Sequence, residues 1–454
     1  MSVKENKMGV MPIGKLLFSM SAPMMLSMVI QACYNIVDSI FVAQLSENAL
    51  NAVSLAFPLQ QLMIAVCGGT AVGMNALLSR ALGAKQFDKA NKIANTGIFL
   101  FACSYIVFAL IGFFFSKPFF LAQTDVEEIV NYGTDYATIC MCGAIGIFSQ
   151  FCFEKMLQAT GRTFCTMLTH LMGTIVNIIL DPILIFGLFG FPKLEVAGAA
   201  IATISGQIVA GLAAIIFNLK FNKDVHISFK LIRFNKEIVK EIYKIGLPSI
   251  VMQSIGSVMT FCLNKILIAF TTTATAVFGA YFKLQSFIFM PIFGLNNGMV
   301  PIIAYNYGAK RYDRVKKTIV ITIITAISVM FIGVLAFEFV PHILLGFFNA
   351  SESMLEIGVP ALRIIGTHLL FAGFCIIAGS VCQAIGNPNH SLIVSICRQL
   401  VVLLPAAWLL SQTGRLELVW FAFPIAESVS LILSAIFLKK TLKHAKERMK
   451  DLIA

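Results

Sequence analysis

Long, unbroken apolar runs constrain this chain more than any other feature of its sequence. A helix needs roughly 20 apolar residues to span the hydrocarbon of a bilayer. Runs of about that length lie near residues 16–38, 50–78, 94–115, 132–153, 164–188, 196–218, 242–270, 276–305, 318–340, 359–384, 391–410 and 418–438. Because 58% of the residues are hydrophobic and only 12% are charged, a soluble core could not hide this much apolar surface. The sequence predicts a membrane protein of about twelve spanning helices.

The runs are typical of helices rather than strands. A strand of a membrane barrel alternates apolar and polar residues over about ten positions, whereas these runs are continuous and longer. The first run follows Lys4, Lys7 and Lys15, as a signal peptide would, but it is long, lacks a small-x-small cleavage site and ends in polar residues. We therefore expect an all-α integral membrane fold in which this first helix is retained.

Basic residues indicate the orientation, since the Lys and Arg of short loops stay on the cytoplasmic side. With a cytoplasmic N-terminus, the outer loops hold only Lys117, Lys193 and Arg415 of the 34 Lys and Arg residues. This asymmetry predicts a multi-pass protein of the cell (inner) membrane with both termini in the cytoplasm. The net charge of +12 then reflects the contact of the protein with the lipid bilayer, and we expect no nucleic-acid partner.

An internal repeat organises the chain. A shift of 225 residues matches Pro23 with Pro248, Gly83-Ala84-Lys85 with Gly308-Ala309-Lys310, and Gln158-Ala159-x-Gly161 with Gln383-Ala384-x-Gly386. Each half holds six runs, an even number, so both halves insert the same way round and should be related by a pseudo-two-fold axis along the membrane normal. We predict a six-helix N-lobe at 1–220, a basic cytoplasmic connector at 221–238, a six-helix C-lobe at 239–440 and a cytoplasmic tail at 441–454.

Motifs for catalysis and for nucleotide binding are absent from the sequence. It has no G-x-x-x-x-G-K-[ST], no G-x-S-x-G and no H-E-x-x-H, and its six His and eleven Cys residues show no metal-ligand spacing. We therefore expect neither an enzyme nor a bound cofactor. A channel or a membrane enzyme could share the duplication, so the repeat supports transport without proving it.

Polar residues form stripes within the first half. An Asp at the bilayer centre costs about 2.5 to 3.5 kcal/mol on insertion scales and persists where it faces protein or water. Residues three or four apart share a helix face, and such stripes comprise Ser27, Gln31, Asn35 and Asp38; His170, Thr174, Asn177 and Asp181; and Thr203 with Gln207. Two carboxylates with amide and hydroxyl oxygens suit a Na⁺ site or a proton-exchanging pair. Alternatively, Asp38 ends its helix at the interface and Asp181 marks a kink before Pro182.

The second half differs in its charges. The 225-residue shift carries Asp38 onto Leu263 and Asp181 onto Ala406, so any coupling ion is expected in the N-lobe. Cations lie in apolar runs instead, at Lys265, Lys283, Arg363 and Arg398. Snorkelling or pairing with Glu427 is their ordinary explanation, and substrate contact, at Lys283 for example, is the alternative. Glu154, beside Lys155 where the fourth run meets the cytoplasm, is either half of an interfacial ion pair or an anchor for a cationic substrate.

Several segments of the sequence resemble the multidrug and toxic-compound extrusion (MATE) family along essentially the whole chain. They are Ala22-Pro23, Tyr34-Asn35-Ile36-Val37-Asp38, Phe41-Val42-Ala43, Gly83-Ala84-Lys85, Leu157-Gln158-Ala159-Thr160-Gly161-Arg162, Asn177-Ile178-Ile179-Leu180-Asp181-Pro182 and Gly198-Ala199-Ala200-Ile201-Ala202-Thr203. The resemblance implies a twelve-helix, two-lobe antiporter that exports cationic lipophilic compounds in exchange for H⁺ or Na⁺. The family's N-lobe cation site is similar to Asp38, Asn177, Asp181 and Thr203 here.

The resemblance also limits the hypothesis. Members with a second acidic site on helices seven and ten are not matched, because this chain offers Asn264-Lys265 and Arg363 in those regions. Gln31, Asn35 and Gln207 are expected to be accessory polar groups. Asp38, Asn177 and Asp181 are candidate ligands of Na⁺. The protein is expected to be a monomer. A flippase for lipid-linked saccharides of related fold stays open as an alternative, with the C-lobe cations around a diphosphate.

Overall fold

The computed structural model describes residues 6–348 and 350–451, apart from the side chains of Ile36, Ser39, Ile40, Ala43, Glu47, Phe229, Lys450 and Asp451. Three parts of the chain lie outside the described residues: the first five residues of the predicted N-lobe, which include Lys4, then Asn349, and the last three residues of the predicted tail. The described chain is helical throughout its regular structure and contains no strand. The all-α prediction is confirmed.

The helices follow one another with short joints. In chain order they are α1 (Lys7–Val10), α2 (Ile13–Ala43), α3 (Glu47–Gly83), α4 (Phe87–Leu121), α5 (Glu127–Cys142), α6 (Ile145–Ala159), α7 (Thr163–Phe186), α8 (Glu195–Phe221), α9 (Lys236–Ile268), α10 (Thr272–Gly308), α11 (Tyr312–Phe339), α12 (Pro341–Gly346), α13 (Glu352–Gly366), α14 (Leu369–Ile385), α15 (Pro388–Ile396), α16 (Leu404–Ser411), α17 (Leu416–Val419) and α18 (Ala422–Asp451). A π-helical stretch, Cys397–Leu403, joins α15 to α16 without a break, and 3₁₀ turns lie at Leu188–Gly190 and Phe229–Leu231.

The number of spanning segments agrees with the predicted one. Ten segments of the described chain are long and apolar enough to cross a bilayer. Two further segments are bent pairs, α5 with α6 at 41° and α13 with α14 at 48°, which brings the number to twelve if each pair is one span. The predicted runs 132–153 and 359–384 are therefore each broken near the middle, where the sequence shows continuous apolar character.

The 225-residue repeat is visible in the backbone. The helices α3 and α10 are both 37 residues long, and Ser46 and Thr271 cap their N-termini by accepting a hydrogen bond from a backbone N–H of the first turn. Both helices end in the same turn, in which Lys85 and Lys310 each adopt a φ of 58°. This is a left-handed conformation that costs energy for a side chain larger than Gly, so its recurrence indicates a shared ancestral turn.

The chain forms two compact units whose borders fall at equivalent repeat positions. One unit comprises Leu26–Ile250 with the residues up to Lys7, and the other comprises Met8–Met25 with the residues from Val251 onward. Both borders lie two residues after a repeat-related proline, Pro23 in α2 and Pro248 in α9. The predicted lobe boundaries at 220 and 239 stay predictions.

Glycines hold the first halves of α9 and α2 against their respective units. In the first unit, a Cβ on Gly69 of α3 would lie 2.7 Å from the carbonyl oxygen of Gly246 in α9. In the second unit, a Cβ on Gly298 of α10 would lie 2.7 Å from the Cα of Ser21 in α2. Only glycine permits such an approach of two backbones, so these positions explain why each helix changes unit part of the way along its length.

Candidate functional site

The first unit brings two aspartates together from helices far apart in sequence. Asp38 lies near the C-terminal end of α2, and Asp181 lies within α7, directly before Pro182. Asp181 is fully buried and Asp38 is partly buried. Their carboxyl groups lie within hydrogen-bonding reach of each other. The structure thus joins the two predicted stripes at one point.

Acceptor oxygens dominate this point. Asn177, one turn before Asp181, donates its Nδ2–H to Thr203 Oγ1 of α8 at 3.4 Å. Its own Oδ1, both oxygens of Asp181 and Oδ1 of Asp38 are buried without a hydrogen-bond donor among the described residues. Buried polar atoms are normally paired because an unpaired one costs about 1 to 3 kcal/mol. Four unpaired acceptors in one place make this point suited to a cation or to protons.

Close helix packing places Asn177 beside Thr203. A Cβ on Gly173 of α7 would lie 2.8 Å from the carbonyl oxygen of Gly206 in α8, and one on Gly206 would lie 2.6 Å from that of Gly173. The two backbones can touch only because both residues are glycines. This contact sets the separation of α7 and α8, and with it the distance between the amide of Asn177 and the hydroxyl of Thr203.

Three side chains near the carboxyl groups were not among the predicted site residues. Tyr34, one turn before Asp38, reaches Thr203 with its hydroxyl and also lies near both aspartates. Tyr136 of α5 is buried near Asp38 and accepts a hydrogen bond from Gln60 of α3 at 3.1 Å. The four-residue spacing of Tyr34 and Asp38 could have indicated Tyr34, whereas nothing in the sequence links Tyr136 or Gln60 to the site.

The oxygen atoms of this site suit Na⁺ or a proton as the bound species, and not a multiply charged transition metal. Na⁺ is a hard cation, like those that take carboxylate, amide and hydroxyl oxygens as ligands. No group of three or more His, Cys, Asp or Glu side chains that could hold a metal occurs in the described parts of the chain. Asp38, Asp181, Asn177 and Thr203 can therefore hold one Na⁺ or share protons between two carboxyl groups.

The accessory residues are distributed along α2 and α8. Gln31 is partly buried on α2, and Asn35, one turn later, is exposed. Gln207 follows Thr203 by one turn on α8, where its backbone crosses α6 at Gly146. The structure therefore brings Asp38, Asn177, Asp181 and Thr203 together, while Gln207 lies at a helix crossing.

Glu154 lies in a buried polar cluster of the first unit. Its side chain is 5% exposed, and its Oε1 accepts hydrogen bonds from Thr169 at 2.7 Å and Gln150 at 3.1 Å. Its Oε2 lies 2.9 Å from Nε2 of His170. These three partners come from α6 and α7 and enclose the carboxylate within the first unit. The predicted roles of Glu154, in an interfacial ion pair or as a substrate anchor, stay predictions.

The four cations of the second half occupy separate surroundings. Arg398 donates to Glu427 at 3.2 Å, and the side chain of Arg363 lies 3.9 Å from that of Glu338. The Nζ atoms of Lys265 and Lys283 lie 5.7 and 6.0 Å from the ring centroids of Phe261 and Phe348. Two of the four charges are therefore neutralised by acidic partners within the second unit.

Glu427 also belongs to a buried cluster that the sequence did not reveal. His368, in the break between α13 and α14, lies 3.8 Å from Glu427 and hydrogen-bonds Tyr281 of α10 through Nε2 at 2.8 Å. Oε1 of Glu427 and Nδ1 of His368 are buried without a hydrogen-bond partner among the described residues. The pairing of Arg398 with Glu427 was predicted, whereas the contribution of His368 was not.

Comparison with known families gives a match over both halves of the repeat. The MatE family model matches residues 23–183 and 248–409. The two matched segments begin at Pro23 and Pro248, the repeat-related prolines of α2 and α9. The first of them contains Asp38, Asn177 and Asp181.

Individual relatives extend the similarity to nearly the full length. A protein of Staphylococcus aureus (strain bovine RF122 / ET3-1) named multidrug export protein MepA is 29% identical over 92% of each chain. A solved structure described as the outward-facing conformation of a multidrug resistance MATE family transporter is 26% identical, with a TM-score of 0.92 over 98% of this chain and 100% of its own. A Pyrococcus furiosus transporter of the MOP superfamily, described as having a binding pocket of reverse polarity, is also 26% identical, with a TM-score of 0.90 over 98% of this chain and 99% of its own.

Proposed function

Since this chain belongs to the MATE family, we propose that it is an antiporter that exports cationic lipophilic compounds from the cell in exchange for H⁺ or Na⁺. The protein is a multi-pass membrane transporter and not an enzyme. The observation that carries the proposal is the meeting of Asp38 and Asp181 among buried acceptor oxygens that have no donor within the described part of the chain. The multidrug export relative supports small organic molecules as the cargo.

The buried carboxylates provide a physical route to coupling. Two negative charges in one buried place repel each other and lack the hydration that water would give them. Binding Na⁺ or protons removes that cost, so the loaded and empty sites favour different arrangements of the helices that form them. Pro23 in α2 and Pro182 in α7 each remove one hydrogen bond from the ladder of their helix, which makes both helices easier to bend.

The negative charges of Asp38 and Asp181 favour a cationic cargo, because opposite charges attract. If one monovalent ion exchanges for one monovalent organic cation, no net charge crosses the membrane and the ion gradient alone drives export. The chain is proposed to act as a monomer in the cell membrane with both termini in the cytoplasm. The lipid-linked saccharide alternative is less well supported, because Arg363 and Arg398 are each paired with a glutamate and are not free to surround a diphosphate.

The proposal is tested by efflux of an organic-cation dye from proteoliposomes under an imposed pH or Na⁺ gradient. Asp38→Asn should abolish gradient-driven efflux, because an amide cannot take up a proton and has no negative charge to attract Na⁺. Asp125→Asn, an exposed loop position, is the matched control and should retain it. Equal efflux by the wild type and Asp38→Asn would exclude Asp38 as the coupling group. Dye that moves under neither gradient in folded wild-type protein would contradict antiport of cations.

A further inference from the structure

A groove runs between α9 and the continuous helix formed by the π-helical stretch and α16 in the second unit. Two cavities of about 490 and 420 Å³ share Lys265, Ile266 and Trp408 as lining residues and therefore adjoin. The first cavity is otherwise lined by apolar side chains, including Phe261 and Leu404. The second extends to Ser411 and Gln412 and is more polar. The groove thus has an apolar end and a polar end.

The groove has the length of one membrane leaflet. Its lining on one side consists of residues three or four apart, which places them along a single helix face; they are Leu400, Leu404, Trp408 and Ser411. At 1.5 Å per residue, this face extends for about 16 Å, close to half of a hydrocarbon core that is about 30 Å thick. Its polar end coincides with the ends of α9 and α16, and the end of a spanning helix is where headgroups are expected.

An unneutralised positive charge lies at the polar end. Lys265 lies one turn before the end of α9 and makes no ion pair with any residue in the described chain. Its ammonium group lies over the ring of Phe261. The other basic side chains of this unit in apolar runs include Arg363 and Arg398, which do have acidic partners. A cation above a leaflet-deep apolar groove is complementary to an amphiphile with an anionic head and a hydrocarbon tail.

We propose that this groove binds an anionic phospholipid, with its phosphate at Lys265, Ser411 and Gln412 and one acyl chain along Phe261, Leu404 and Trp408. The site lies in the leaflet at the C-terminal end of α9, which the predicted topology makes the outer one. It goes beyond the exchange of ions for drugs and does not depend on the identity of the coupling ion. It also assigns a role to Lys265, which the coupling site leaves unused.

The two tryptophans of the chain allow a direct test. Trp408 is 56% exposed and lines the groove, whereas Trp420 is 1% exposed, so lipid-borne quenchers reach only Trp408. The full chain is reconstituted in vesicles that combine phosphatidylglycerol with phosphatidylcholine, and only one of the two lipids carries brominated acyl chains. Brominated phosphatidylglycerol should quench Trp408 more strongly than brominated phosphatidylcholine does. The difference should correspond to an enrichment of phosphatidylglycerol over phosphatidylcholine beside Trp408 of about fivefold, the factor expected for one lysine near an anionic headgroup.

Two variants separate this site from the ordinary lipid shell. Lys265→Gln should make the two brominated lipids quench equally. Lys117→Gln is the control, because Lys117 is exposed one turn before the end of α4, at the same membrane face, and lines neither cavity; it should retain the preference. Equal quenching in the wild type, or a preference that survives Lys265→Gln, would overturn the proposal. Loss of the preference on adding inorganic phosphate would show that the headgroup charge binds without the acyl chain, which also contradicts it.

Discussion

Glu427 is buried and pairs with Arg398, so removing one charge leaves the other without its counter-charge. We expect Glu427→Gln to lower the free energy of unfolding by about 3 kcal/mol, the lower end for a buried pair, because 30% of the Arg398 side chain is exposed. Thermal unfolding in detergent measures the loss. Restoring neutrality with Arg398→Met in the same chain should recover most of it.

The matched control for that pair is Glu338→Gln. Glu338 and Arg363 are 3.9 Å apart, and their side chains are 51% and 47% exposed. An exposed pair contributes between about 0 and 1 kcal/mol, so this variant should unfold close to the wild-type temperature. If Glu427→Gln were as stable as Glu338→Gln, the Arg398 contact would not be a buried ion pair in the folded protein.

Individual site residues were predictable where helical spacing alone decides. The intervals between Asn177 and Asp181, and between Tyr34 and Asp38, place each pair on one face, and an intramembrane carboxylate must face protein or water. Spacing cannot show which faces of distant helices meet. Spacing therefore gives no indication that Tyr136 lies near Asp38, or that His170 contacts Glu154, because those contacts depend on packing between helices.

At the scale of helices, the contact between α7 and α8 determines the geometry of the coupling site. A Cβ on Gly206 would lie 2.6 Å from the carbonyl oxygen of Gly173 and 3.0 Å from Cβ of Asn177. We expect Gly206→Ala to push α7 away and reduce ion-coupled efflux at least about tenfold, since displacements near 1 Å can cost a hundredfold in rate where geometry is critical. Dye efflux from proteoliposomes measures the loss.

Gly279→Ala tests whether any glycine substitution has this effect. Gly279 lies inside α10, and nothing lies within 4 Å of a Cβ added there. Alanine is favoured over glycine in a helix by about 1 kcal/mol, so this variant should keep its efflux rate and unfold at the same or a higher temperature. Equal losses in Gly206→Ala and Gly279→Ala would contradict the role given to the contact between α7 and α8.

Helix existence was predictable from apolar length, but irregularities within the helices were not. The break between α5 and α6 falls at Gly143-Ala144 and that between α13 and α14 at Thr367-His368, and neither place contains a proline. An apolar run has the same composition whether the helix is straight or bent, so hydropathy cannot locate these breaks. The π-helical stretch has a visible cause, because Pro405 lacks the N–H that would continue the regular ladder.

At the scale of the whole molecule, the repeat carried more information than any single motif. The shift of 225 residues predicted equivalent helices, and α3 and α10 have the same length and the same terminal turn. What it could not predict is that the border between the compact units falls within α2 and α9. That border depends on the glycine contacts of Ser21 and Gly246, which no property of an isolated helix reveals.

If organic cations are exchanged for ions bound at Asp38 and Asp181, a gradient of substrate alone must drive ion movement. Proteoliposomes without an ion gradient receive an organic-cation gradient, and internal pH and ²²Na⁺ uptake are followed. The account predicts opposing movement of H⁺ or Na⁺ in the wild type and in Asp125→Asn, and none in Asp181→Asn. Substrate movement with no accompanying ion movement, or ion movement that persists in Asp181→Asn, would contradict it.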